Sequence, residues 1–292
     1  MNILILSGNR FDKPGSELRV QKGTQMLHAI FGNDKNYFFC DNSAIEIQNN
    51  GEVVLTNNGE KLEKPDLFWP LVASSDGLTI EHMLLDAGIE CLLNLRELQV
   101  VGSKIATYQR LAQYGIRVPD SVVFFLNTDR QMLIDRFGFP FVVKPDTGLG
   151  GQGVELIHNK EELDAYFDKM KNGEIYVAQE YIKTSRGRDI RVVILHGKYF
   201  YSMERCATNP DEFRSNVHVG GVSRSYELSE DDKHFCEKVA SVIDLPIMGL
   251  DLMIGDGEYV LAEINGFPGM PLEKMKEAYP SVLDKYLEER EC

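Results

Sequence analysis

The sequence predicts a mixed fold, a small open α/β unit followed by two α+β lobes, and three observations carry the prediction. Over roughly the first 95 residues, short apolar runs alternate with helix-period stretches, the pattern of an α/β sheet. The C-terminal part holds two long ribbons, DIRVVILHGKYFYSMER and GLDLMIGDGEYVLAEIN, whose strand-period halves meet at glycine-containing turns. Between these regions, FVVKPDTGLGGQGVELI (141–157) sets a glycine-rich loop between two strand-like segments. We divide the chain accordingly at 1–97, 98–182 and 183–292.

Taken in order, Ile3–Leu6 is a first strand and residues 17–31 have helical period. Tyr37–Cys40 is a strand, and IEIQNNGEVVLTNNG carries an Asn50-Gly51 hairpin signal. Asp66–Trp69, a helix near 78–87 and the strand Ile89–Leu93 complete the first unit. SKIATYQRLAQYG predicts a helix with Ser103 as N-cap and Gly115 as its stop. Val122–Leu126 and a helix near 128–137 lead into the glycine segment. Asn159 and Glu162 are then spaced as a capping box. The strand YVAQEYI, the first ribbon, the loop FRSNVHVGG, a helix after Ser229 and the second ribbon follow.

Composition narrows the function classes. At 43% hydrophobic and 26% charged residues the chain packs a core instead of remaining disordered. Its formal net charge of −14 argues against a general nucleic-acid binder. Cys40, Cys91, Cys206, Cys236 and Cys292 fit neither a disulfide framework nor zinc spacing, which reads as reduced thiols in a cytoplasmic protein. MNILILSGN lacks the basic start of a signal peptide, and no segment reaches the roughly 18 apolar residues that span a bilayer, so no membrane is expected.

GLGGQG matches the dinucleotide pattern G-x-G-x-x-G, but that mechanism needs a helix after the glycines to receive phosphate. Here Val154–Ile157 reads as a second strand, so Gly148, Gly150, Gly151 and Gly153 form a hairpin flap. A flap of this kind still offers backbone N–H groups, with Lys144 at its base as a phosphate hook. Lys104, Arg191, Arg205 and Arg214 fall near strand ends, loops or a helix start. Each alone reads most simply as a solvated charge, and only the set suggests a polyanion site. Val177–Ile182 reads equally as a core strand or as an edge presenting backbone groups to an adenine.

On the last ribbon, Asp251, Glu263 and Asn265 are hard oxygen donors of the kind Mg²⁺ takes. Glu263 and Asn265 share a face. Whether Asp251 joins them depends on the turn: a two-residue loop at Asp256-Gly257 sets Asp251 opposite Ala262, and an odd loop sets it opposite Glu263. The metal reading therefore requires the odd loop.

In order, VVKP with the glycine flap, QEYIK, GRDIR, ER, FRSNVHVGG and GLDLMI…LAEINGFPG resemble the ATP-grasp superfamily, in detail its RimK-type α-L-glutamate ligases. The resemblance covers most of residues 100–270. It implies two α+β lobes holding ATP after an N-terminal domain that is similar only in strand pattern. It also implies that Lys104 and Lys144 contact the phosphates and that Glu180, Tyr181 and Ile182 line the adenine pocket. Asp189 would touch the nucleotide from across the cleft. Arg214, Ser215 and Asn216 would sit by the phosphates and the reacting carboxylate, and Asp251, Glu263 and Asn265 would hold Mg²⁺ or Mn²⁺. Arg191, Arg214 and Asn216 are the candidate catalytic residues.

The chemistry implied is ATP-dependent joining of a carboxylate to an amine through an acyl phosphate, with an amino acid such as glutamate as amine and a small-molecule, peptide or protein carboxylate as acceptor. Ligases of this type often form dimers or tetramers, and the sequence leaves a homo-oligomer open. A phosphotransferase on the same scaffold is the alternative. A protein kinase is disfavoured because HRD and DFG are absent. One departure is Val219, where the ribosomal-protein ligases carry a basic residue, and it leaves the amine substrate open. His218 reads equally as an acceptor contact or as a capped loop histidine.

Overall fold

Short apolar runs buried on both faces form the central strands, and the computed structural model describes residues 2–6, 25–32, 36–40, 45–57, 60–61, 63–70, 78–148, 150–209, 212–215 and 221–291. The first sheet is parallel, in the order β2 (Asn36–Cys40), β1 (Asn2–Leu6), β6 (Leu67–Pro70), β7 (Glu90–Cys91). The helix expected over 17–31 is helical at 25–31 (α1), with 17–24 outside the described residues. The Asn50-Gly51 hairpin forms between β3 (Ile45–Ile47) and β4 (Val53–Asn57), beside which lies the short β5 (Glu60–Lys61). Helix α2 (Thr79–Asp86) precedes β7.

A helix that the sequence reading missed, α3 (Leu95–Gly102), follows, and a division at 97/98 falls inside it. Its signal was present: Asn94 accepts a hydrogen bond from the Arg96 N–H, and Glu97 stands three residues on. Ser103 caps α4 (Lys104–Gln113) as expected, accepting from the Ala106 N–H, and Gly115 ends it at φ 68°.

The middle sheet runs β10 (Glu155–Ile157), β9 (Phe141–Pro145), β11 (Tyr176–Glu180), β8 (Ser121–Phe124), with α5 (Arg130–Phe137) and α6 (Lys160–Phe167) on it. Strands β9 and β10 pair antiparallel with Val143 opposite Glu155, so the glycines form the predicted hairpin flap. Phe141 and Val143 enter a small core with Phe124, Leu163, Phe167 and Tyr176, while the alternate residues Val142 and Lys144 face away from it.

The last sheet is antiparallel: β14 (Val222–Ser225), β13 (Lys198–Cys206), β12 (Arg188–Leu195), β15 (Ile247–Ile254), β16 (Tyr259–Asn265). Ile190, Val192, Leu250, Leu252 and Ile264 line its apolar face. That face shares one continuous core with Ile3, Leu67 and Trp69 of the first sheet, with α3, with α7 (Glu230–Ala240) and with α8 (Leu272–Glu291). Helix α8, which carries Pro280 inside it, is a second element the sequence reading lacked. The first and last sheets are thus built on one core, and the flap-bearing sheet on its own.

Candidate active site

The opposite face of the last sheet carries charge. Across paired strands, Arg191 of β12 stands opposite Asp251 of β15, and Asp189 of β12 opposite Arg205 of β13. Arg191 donates from Nε and Nη2 to the two oxygens of Asp251 at 2.5 and 2.8 Å. Arg205 pairs with Asp189 through two hydrogen bonds and reaches Asp251 at 2.9 Å. Burial alone would raise the Asp251 carboxyl, yet the two guanidiniums hold it at about 2, below the usual carboxylate range. Burial works against the Arg205 charge as well, and Asp251 and Asp189 more than offset it.

The ribbon's turn contradicts the expected odd loop. Ile254 pairs with Tyr259 and the Gly255 N–H donates to the Glu258 carbonyl, an even turn that would carry Asp251 to Ala262. A β-bulge at Ala262 restores the count: Leu252 pairs with Leu261, and Asp251 then pairs with Glu263. With Asn265 opposite Gly249, all three oxygen donors fall on one face by a route the turn arithmetic did not include.

The middle sheet faces this surface across a cavity of about 930 Å³, its open mouth included. Lys104, Lys144, Gly148, Gly151, Arg214 and Ser215 line it, together with Glu180, Tyr181, Ile182, Asp189, Asp251 and Glu263. Gly150 and Gly153 belong to the flap at φ 65° and 69° but are not in the wall. Arg191 and Asn265 also lie outside the wall, Arg191 behind Asp251. Asn216 and His218 lie outside the described residues. Arg205, which the sequence placed only in the basic set for a polyanion, is part of the wall, as is the apolar set Val142, Val154, Phe213 and Met253.

Lys144 is 6% exposed and lies within salt-bridge distance of no carboxylate among the described residues; its ammonium donates to the Tyr108 hydroxyl at 3.0 Å. Burial, then the neighbouring Lys104, lower its pKa from 10.5 to about 7, with Glu263 and Asp146 opposing. Lys104 donates to the carbonyls of Asp146 and Gly148 at the flap base and stands 3.5 Å from Glu263. Arg214, held by Glu212, donates across the cleft to the Gly151 carbonyl of the flap at 3.0 Å. Glu180 is tied at its carboxylate by Arg117 and by the Asp120 N–H. The Tyr181 hydroxyl is buried without a partner among the described residues, its ring edge-on to Phe213.

The donor set is compatible with a divalent cation. Three of the four lone-pair directions of Asp251 are taken by arginine, whereas among the described residues Glu263 meets only Lys104, at 3.5 Å. The Asn265 amide end assigned as Nδ2 is buried without a partner among the described residues, and the flipped assignment sets an oxygen there. No cluster of three His, Cys, Asp or Glu stands together among the described residues. Two carboxylates and an amide still suit Mg²⁺, which is typically bound through one or two carboxylates with substrate phosphates completing its shell.

Comparison with known proteins bears on the same residues. A family model described as RimK-like ATP-grasp domain matches residues 102–281. N-acetylaspartylglutamate synthase A of Homo sapiens is 31% identical over 204 residues, 68% of this chain and 52% of its own, so the chain spans about half that relative's length. A probable alpha-L-glutamate ligase of Cellvibrio japonicus is 30% identical over 217 residues, 73% of this chain and 72% of its own. D-alanine–D-alanine ligase from Bacillus anthracis, solved with ATP, superposes with a TM-score of 0.69 at 21% identity over 99% of this chain and 96% of that one. The family match spans both lobes and the donor ribbon, and the superposition extends the fold over the N-terminal sheet. The chain belongs to the RimK-like ATP-grasp family.

Proposed function

We propose that the chain is an ATP-dependent carboxylate–amine ligase that adds an amino acid such as glutamate to a small-molecule, peptide or protein carboxylate. The observation that carries the reading is Lys144, a buried ammonium with one hydrogen-bond partner among the described residues, in a cavity that also holds Lys104 and the facing carboxylates Asp251 and Glu263. A polyphosphate accompanied by a cation satisfies both signs of charge at once. The names of the synthase and ligase relatives support amide formation with glutamate.

A substrate carboxylate oxygen attacks the γ-phosphorus as the bond to ADP breaks, giving an acyl phosphate. The amine nitrogen then attacks the activated carbonyl, the bond to phosphate breaks, and the amine proton is released. Lys104, Lys144 and the flap N–H groups would hold the phosphates, and Glu180–Ile182 the adenine, with Asp189 near the nucleotide. Arg205 and Arg214 would meet charge developing on the transferring group, with Ser215 and Asn216 beside it. Arg191, held behind Asp251, would orient that carboxylate. Mg²⁺ or Mn²⁺ on Asp251, Glu263 and Asn265 would supply charge neutralisation of the phosphates. The Arg214 bond to Gly151 supports a flap that closes and excludes water. Free Cys91, Cys206 and Cys236, and no described helix long and apolar enough to cross a membrane, support a cytoplasmic setting.

The test is incubation with ATP, Mg²⁺ and a panel of carboxylates and amino acids, following ADP release and product mass. An amide product that needs both substrates is expected. A phosphorylated product without amide would instead assign a phosphotransferase.

A further inference from the structure

We infer that Tyr108 is a positioning residue that ties Lys144 to the strand carrying the oxygen donors, an inference that rests on the nucleotide reading of the cavity. Tyr108 is 3% exposed and lies one helical turn after Lys104 on α4. Its hydroxyl meets groups from three strands: Lys144 Nζ of β9 at 3.0 Å, the Ala262 carbonyl of β16 at 2.6 Å and Gln179 Oε1 of β11 at 3.3 Å. A phenol has one proton, and the shorter contact marks Ala262 as its acceptor; the oxygen's lone pairs then receive the ammonium.

Ala262 is the bulged residue. A bulge leaves backbone groups without ladder partners, and two neighbours take them up here. Tyr108 satisfies the Ala262 carbonyl, and the Leu261 N–H donates to the Arg117 carbonyl. That bulge brings Asp251 opposite Glu263. The hydroxyl therefore fixes, in one place, the only hydrogen-bond partner of the Lys144 ammonium among the described residues and the irregularity that aligns the donors. At 3.0 Å from the hydroxyl and 5.4 Å from the ring centroid, the ammonium lies beyond the hydroxyl end of the Tyr108 ring, so the hydroxyl is what it meets.

Tyr108→Phe keeps the ring and removes the hydroxyl. Calorimetric titration with a metal-free, non-hydrolysable ATP analogue is compared for wild type, Tyr108→Phe, Lys144→Met and the double variant. Tyr108→Phe is expected to bind about 10-fold more weakly, the scale of one lost hydrogen bond to a charged group, and the double variant no more weakly than Lys144→Met alone. Mn²⁺ bound by the analogue complex, followed by electron paramagnetic resonance, is expected to be held several-fold more weakly in Tyr108→Phe. Nucleotide or Mn²⁺ affinity of Tyr108→Phe equal to wild type overturns the inference and leaves the ligase reading intact. Losses that multiply in the double variant do the same. No binding of the analogue by the wild type overturns the nucleotide reading and the inference with it.

Discussion

Replacing Lys144 by Met should stabilise the protein while weakening nucleotide binding. The groups facing Lys144 are Tyr108 and Lys104 from α4, Glu263 from β16 and Asp146 just past β9, and burial outweighs the carboxylates to bring its pKa from 10.5 to about 7. A drop of that size corresponds to about 5 kcal/mol of folded-state penalty on the charged form. Between pH 7 and 10.5 the unfolded chain binds more protons at this site than the folded one, so stability rises with pH across that window; below pH 7 the full penalty acts. Methionine fills nearly the same volume without charge, so Lys144→Met should melt up to roughly 10 °C higher at pH 7. That gap should close as pH approaches 10.5. Scanning calorimetry of both proteins from pH 6 to 10 measures it. A variant less stable than wild type at pH 7, or a gap that does not change with pH, would refute the argument that desolvation dominates Lys144.

The same lysine predicts that nucleotide binding takes up a proton, about 0.9 per site at pH 8 and about 0.1 at pH 6. Calorimetry in buffers of different ionisation enthalpy reads this directly, and a buffer-independent heat at pH 8 would contradict it. Asp251→Asn removes the charge shared by Arg191 and Arg205 and should cost about 3–5 kcal/mol as well as ATP turnover, checked by thermal melts beside ADP release. Because its folded carboxyl titrates at about 2, below the ordinary 3.8, ionisation supplies about 2 kcal/mol of this above pH 3.8, and that part is lost as pH falls through 2. Gly153→Ala would set a Cβ 3.0 Å from Pro145 at φ 69°, and the strain of about 1–2 kcal/mol should raise KM for ATP more than it lowers kcat; an unchanged KM would separate the flap from nucleotide capture.

What the sequence made legible was local. Ser103, Asn159 and Ser229 cap their helices as their positions predict, and the glycine flap and both ribbons formed where alternation and turn residues put them. The misses are of another kind. Helix α3 was passed over although Asn94 and Glu97 announced it, and α8 was hidden behind Pro280, a residue that ordinarily argues against a helix. At the site, alternation in LAEIN says nothing of a bulge, because the hydroxyl that satisfies Ala262 comes from Tyr108, 154 residues earlier. Counting from an even turn gives the wrong face for Asp251, and the correction is a bulge whose backbone groups meet Tyr108 of α4 and the Arg117 carbonyl. The same holds for charge: Lys144 is visible as a lysine ending an apolar strand, but its lowered pKa comes first from burial and then from Lys104, with Glu263 and Asp146 opposing, and this environment is assembled from α4, β16 and the loop after β9. Helix α4 is therefore the element on which the site's geometry turns. Lys104 grips the flap base and reaches toward Glu263, and one turn later Tyr108 grips Lys144 and the bulge. Any substitution that rotates or shortens α4 should disturb phosphate and cation binding together, whereas changes on either strand alone should separate them.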